Sequence, residues 1–116
     1  MGNTFHKVMT IEELAPGESR AVQLDGLSVL VCNVKGEYLA VQNHCTHQAS
    51  PLEGGRIRNG MIACPLHGVL FDLRTGCGKG PLGKVPLRTF AVQVVGNEVQ
   101  VGLQEPGGAE QPIVRL

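Results

Sequence analysis

With 116 residues, the chain has the length of one domain and can bury a modest core without disulfide staples. Ten acidic and ten basic residues leave zero net charge and form no basic stripe, so the footprint of a nucleic-acid binder is missing, and no apolar run approaches the ~20 residues that span a bilayer. Sixteen Gly and seven Pro predict many turns between short strands, in place of helices.

In chain order, Phe5 to Met9 reads as a first strand. Thr10-Ile11-Glu12-Glu13 fits a capping box, Thr at the cap and Glu three on, and Pro16-Gly17 limits it to one helical turn. Arg20 to Leu24 and Leu27 to Val34 form a hairpin about Asp25-Gly26, the second strand rich in Val and Leu and therefore buried. Lys35-Gly36 turns the chain, and Glu37 to Gln42 returns as the next strand. Gly54 to Arg58 and Met61 to Ala63 are short strands about Asn59-Gly60. Arg74 to Gly83 is irregular, with four glycines. Leu87 to Val95, Gly96-Asn97 and Glu98 to Leu103 read as a terminal hairpin. The domain is expected over residues 1–104, with a tail over 105–116 whose Ile113, Val114 and Leu116 are free to dock on this chain or another. Short strands at this spacing predict an all-β sandwich or barrel.

Four cysteines stand at 32, 45, 64 and 77. The N-terminus shows no charged-then-apolar leader, so the chain reads as cytosolic, where thiols stay reduced. That favours metal ligation over disulfides. The chemistry concentrates in Cys45-Thr46-His47, then sixteen residues, then Cys64-Pro65-Leu66-His67-Gly68. C-x-H and C-x-x-H each put one thiol and one imidazole on a tight turn, so two loops leaving strands can aim four donors at one point. Thiolate and imidazole are ligands that borderline and soft metals select.

C-T-H-x16-C-P-L-H-G resembles the cluster-binding signature of the Rieske [2Fe–2S] family, strongly in these two motifs and more loosely from about Glu37 to Leu103. In that family His replaces Cys on one of the two irons. The resemblance implies Cys45 and Cys64 as thiolate ligands, and His47 and His67 as imidazole ligands, of one [2Fe–2S] cluster per chain. It further implies an antiparallel β-sandwich with a small cluster-binding subdomain, about residues 43–83, and Gly80-Pro81 as the loop that covers the cluster. Gly68 then marks a place where backbone passes close to the cluster. The competing reading of the same donors is a structural zinc site. Zinc sites with two Cys and two His usually pair like ligands, C-x2–4-C then H-x3–5-H, whereas here each motif pairs unlike ones.

The remaining candidates read as ordinary. His44 should point away from Cys45 in extended chain, and His6 is expected in solvent. Cys32 lies in an apolar run as a small hydrophobe. Cys77 is expected as an exposed thiol. High-potential Rieske proteins add a disulfide between the two cluster loops, and hydroxyls that donate to the cluster sulfurs. Ser50 and Leu66 stand where those cysteines would be, and Val69 and Phe71 where the hydroxyls would be. Hydrogen bonds to the sulfurs raise the potential, so a value near the low end of the Rieske range, on the order of −150 mV, is expected.

Nothing else in the chain carries a catalytic motif. The resemblance implies a soluble ferredoxin of the kind found in bacterial aromatic-ring dioxygenase systems. Such a protein takes electrons from a flavin-dependent, NAD(P)H-oxidising reductase and passes them singly to a terminal oxygenase; it is a carrier, not an enzyme by itself. A small Rieske subunit of a nitrite reductase-like complex is the alternative within this chemistry. A non-redox zinc or cluster-sensing module is the alternative outside it. Leu66, Pro81 and Leu82 are candidates for an apolar rim where a partner docks.

Overall fold

The computed structural model describes residues 5–45, 51–66, 68–80 and 85–103. Among these described residues, nine strands make up two antiparallel sheets: β1 (Phe5–Thr10), β2 (Ser19–Leu24), β3 (Leu27–Val34), β4 (Glu37–Gln42), β5 (Ile57–Arg58), β6 (Met61–Ala63), β7 (Leu70–Asp72), β8 (Thr89–Val95) and β9 (Glu98–Gly102). The larger sheet runs β1-β9-β8-β4-β3-β2, and the smaller one β5-β6-β7.

The local turn chemistry is as expected. Asp25-Gly26, Lys35-Gly36 and Asn59-Gly60 all take positive φ at both positions, the geometry that matches two-residue hairpins to the twist of their strands. After β1, Ile11–Glu13 form a single 3-10 turn. Thr10 N donates to Glu13 Oε2 at 3.0 Å there.

The apolar run of β3 is explained by burial on both faces. Val29 and Val31 point into one buried cluster with Met9, Leu14, Ala40, Phe90, Val99 and Val101, the interior of the folded six-stranded sheet. Leu30, Cys32 and Val34 point the other way. With Val41 they join a second cluster that includes Leu52, Ile62, Phe71, Leu73 and Leu87. The small sheet therefore packs on the outer face of β3 and β4. A strand covered on both faces loses the polar alternation that marks a half-exposed one.

Three details differ from expectation. β5 is two residues long because Gly55 N donates to Leu52 O at 2.9 Å, which turns the backbone before the strand begins. β7 was not expected at all; it pairs with β6 from Met61↔Asp72 to Ala63↔Leu70. His6 is half-buried, not in open solvent, because β1 pairs it with Val101 of β9. The tail from residue 104 onward lies outside the described residues.

Candidate metal centre

The two cysteine motifs sit at strand ends that the small sheet brings together. Cys45 follows β4 by three residues and is 2 % exposed. Cys64 follows β6 directly and is 1 % exposed. Both belong to the second buried cluster, with Leu52, Ile62, Val69 and Phe71. None of the four cysteines is in a disulfide. His47 and His67 lie outside the described residues. Among the described residues, no three His, Cys, Asp or Glu side chains form a metal-holding group.

The second loop is the tip of the β6–β7 hairpin. Gly68 N donates to Cys64 O at 2.8 Å, and Cys64 N donates to Val69 O at 2.9 Å, so Pro65 and Leu66 occupy a closed turn. Gly68 has φ +72, and a Cβ placed on it would meet no heavy atom of the described chain within 4 Å. What the polypeptide itself demands of Gly68 is left-handed backbone, which glycine adopts without steric cost. Leu66 projects from this turn and is 72 % exposed.

The first loop is held by a residue that the sequence reading did not single out. Asn43 is buried, and its Oδ1 accepts from Leu52 N at 3.0 Å and from Glu53 N at 2.9 Å. Its Nδ2 donates to Ser28 Oγ at 3.1 Å, and its backbone N to Ser28 O at 3.0 Å. One amide thus ties the start of the loop to its end and to β3. Glu53 Oε2 in turn accepts from Ala21 N at 3.1 Å, on the edge strand β2. The only sequence signal was an Asn just past a strand, and its partners lie nine and ten residues on.

The segment after β7 is anchored by a close backbone approach. Leu87 N donates to Gly76 O at 2.7 Å, and a Cβ on Gly76 would lie 2.1 Å from Leu87 O. Asp72 Oδ1 accepts from Arg74 N and Thr75 N and shapes the turn before it. Pro81 and Leu82 lie outside the described residues. His44 is exposed, and Gln42 Nε2 donates to its carbonyl at 3.1 Å. Cys77 is exposed as well. Cys32 is buried deep in β3, and burial pushes its thiol up to about 12.

The donor chemistry fits an iron–sulfur group. Two buried sulfurs come from separate loops into one apolar wall, and no disulfide joins them. Thiolate sulfur is the form in which cysteine ligates a metal.

Comparison with known proteins agrees with this chemistry. The family model described as the Rieske [2Fe-2S] domain matches residues 4–98. The ferredoxin component of biphenyl 2,3-dioxygenase from Rhodococcus jostii (strain RHA1) is 39 % identical over 98 residues, covering 84 % of this chain and 92 % of that one. The ferredoxin of carbazole 1,9a-dioxygenase from Nocardioides aromaticivorans IC177 superposes with a TM-score of 0.82 at 33 % identity, covering 87 % of this chain and 99 % of that one. A chain from a complex of reduced oxygenase and oxidised ferredoxin in carbazole 1,9a-dioxygenase superposes with a TM-score of 0.81 at 31 % identity, covering 87 % of this chain and 94 % of that one. This chain belongs to the Rieske [2Fe–2S] domain family, and its cofactor is a Rieske-type [2Fe–2S] cluster.

Proposed function

We propose that this protein is a one-electron carrier that serves a terminal oxygenase, with Cys45 and Cys64 holding one iron and His47 and His67 the other. The observation that carries the reading is the meeting of Cys45 and Cys64 in one buried apolar cluster at the ends of β4 and β6. The bound cluster supplies reversible uptake of a single electron.

The chain's own residues do the rest. Leu52, Val69 and Phe71 keep water from the cysteine side. Asn43 fixes the first loop, and the Cys64–Val69 backbone pairing fixes the second. Rigid placement suits electron transfer, because little has to rearrange when the charge changes. The partners are a flavin-dependent ferredoxin reductase upstream and a terminal aromatic-ring oxygenase downstream. Support comes from relatives that are named as dioxygenase ferredoxin components, one of them in a complex with its oxygenase. By itself the chain is not a catalyst. Leu66, exposed beside the second loop, gives the docking face an apolar contact. Carrier contacts of this kind are small and transient, below ~1,200 Å².

The test uses Leu66→Glu. The variant is expected to keep its cluster spectrum and to pass electrons to an oxygenase more slowly. An intact cluster with unchanged transfer rates would show that docking happens elsewhere. A wild-type protein that is reduced but transfers to neither oxygenase nor reductase would refute the carrier role.

A further inference from the structure

A concave feature lies outside the two cysteine loops, and every residue that lines it is among the described ones. Two hairpin turns contribute to it. Lys35-Gly36 joins β3 to β4, and Asn59-Gly60 joins β5 to β6. With the Pro16-Gly17 turn they bound a pocket of about 320 Å³. Pro16, Val34 and Ile57 give it an apolar lining. Lys35 brings a cation from the six-stranded sheet, and Arg58 brings one from the small sheet. Small-molecule sites have this make-up: a mostly apolar hollow with a few polar groups that fix orientation.

The charge at the pocket is one-sided. None of its lining residues is acidic. The carboxylates next along the chain have partners of their own. Glu18, beside Gly17, accepts from Ala15 N at 2.9 Å. Glu37, two residues beyond Lys35, pairs with Arg74. Arg74 is the third cation at these turns, since its Nη1 would lie 3.2 Å from a Cβ on Gly60. Glu37 neutralises it, whereas Lys35 and Arg58 have no ion pair among the described residues. Asn33, a buried lining residue, is already engaged: its Nδ2 donates to Leu14 O at 2.8 Å, and its Oδ1 accepts from Gly36 N at 2.7 Å. It shapes the wall and leaves recognition to the two cations.

We propose that this pocket binds a small carboxylate with a flat apolar body, an aromatic acid being the simplest case. Arg58 takes the carboxylate, because a guanidinium matches its two oxygens, and Lys35 adds a point charge. Pro16, Val34 and Ile57 cover the apolar body. Neither part is enough alone. Cations as exposed as these hold a bare anion weakly in water, and a small neutral ring offers few atoms to bind by. The occupant bridges a turn of each sheet, so it stabilises the folded protein in proportion to its occupancy. The site is separate from the electron-carrier reading and stands or falls without it.

The experiment titrates the oxidised holoprotein with benzoate and follows the amide NMR signals of Gly17, Lys35 and Asn59. These signals shift saturably, and the thermal unfolding midpoint rises with benzoate concentration. Acetate has the charge without the body, and benzamide has the body without the charge. Each binds about tenfold more weakly than benzoate, or not at all, and so does inorganic phosphate. Lys35→Gln with Arg58→Gln abolishes benzoate binding. Both side chains are exposed, and Lys35 is already a non-glycine residue at positive φ, so this variant folds as wild type does. Lys7→Gln with Arg20→Gln removes the same charge elsewhere and leaves binding unchanged. Benzoate that moves none of the three signals overturns the site, and so does equal binding by the Lys35→Gln, Arg58→Gln variant. Acetate or phosphate binding as tightly as benzoate overturns the apolar body of the ligand. Benzamide binding as tightly overturns the part given to the two cations.

Discussion

Asn43 and Leu52 are joined by a 3.0 Å hydrogen bond from the Leu52 backbone N to the Asn43 side-chain oxygen, and this bond closes the loop that starts with Cys45. Both residues are buried. The described ends of the first loop are thus joined through a side-chain amide, whereas those of the second are joined by the Cys64–Val69 and Gly68–Cys64 backbone hydrogen bonds.

Asn43→Ala leaves the amides of Leu52 and Glu53 without that acceptor and Ser28 Oγ without its donor. Stranding buried polar groups costs about 1–3 kcal/mol. Urea unfolding is expected to show a loss in that range. The variant should also release iron to a chelator faster than wild type. Iron retention equal to wild type, despite lower stability, would mean that Asn43 supports the fold and not the loop.

Gly76 and Gly17 make a matched pair. Both have positive φ, +82 and +88, but only a Cβ on Gly76 meets an obstacle, Leu87 O at 2.1 Å. Gly17→Ala should cost about 1–2 kcal/mol, the price of left-handed backbone alone. Gly76→Ala should cost about 3 kcal/mol or more, because two backbones must separate. Equal losses in thermal unfolding would count against the close approach of residues 76 and 87.

Cys32 connects the core to pH. Its thiol is raised from an ordinary 9.0 to about 12 by burial, so the folded state holds the proton more tightly than the unfolded chain. The stability this contributes is complete below pH 9 and is lost as pH rises from 9 towards 12. Cys32→Ala should flatten that alkaline limb of the stability curve. In the native protein a thiol reagent should label the exposed Cys77 at pH 8 and reach Cys32 only on unfolding. Prompt labelling of Cys32 would contradict its place in the core.

Val69 and Phe71 are buried with Cys45 and Cys64, and neither side chain carries a hydroxyl that could donate to sulfur. A spectroelectrochemical titration should therefore give a midpoint on the order of −150 mV, near the low end for this cluster type. Phe71→Tyr should raise it if the new hydroxyl reaches a sulfur. A clearly positive wild-type midpoint would mean that other donors replace the missing hydroxyls.

Local chemistry was the legible part of this sequence. Asp25-Gly26, Lys35-Gly36 and Asn59-Gly60 declare their turns because left-handed backbone favours Gly, Asn and Asp. The Cys-His spacing declared the centre, and the structure brings Cys45 and Cys64 into one cluster. What stayed hidden depends on distant partners. β7 is only Leu70–Asp72, and its strand character comes from pairing with β6. β1 joins β9, and β4 joins β8, across long separations that no local pattern encodes. His6 read as a surface residue until β9 was laid beside it. Asn43 became a loop clasp only once residues 28, 52 and 53 had converged on it.

Nitrogen ENDOR of the dithionite-reduced protein bears most directly on the ligand set. Two distinct imidazole nitrogens coupled to a reduced [2Fe–2S] signal, one of them lost in His47→Cys, is the result this account requires. A colourless protein containing zinc, or an iron–sulfur signal with no coupled nitrogen, would contradict it.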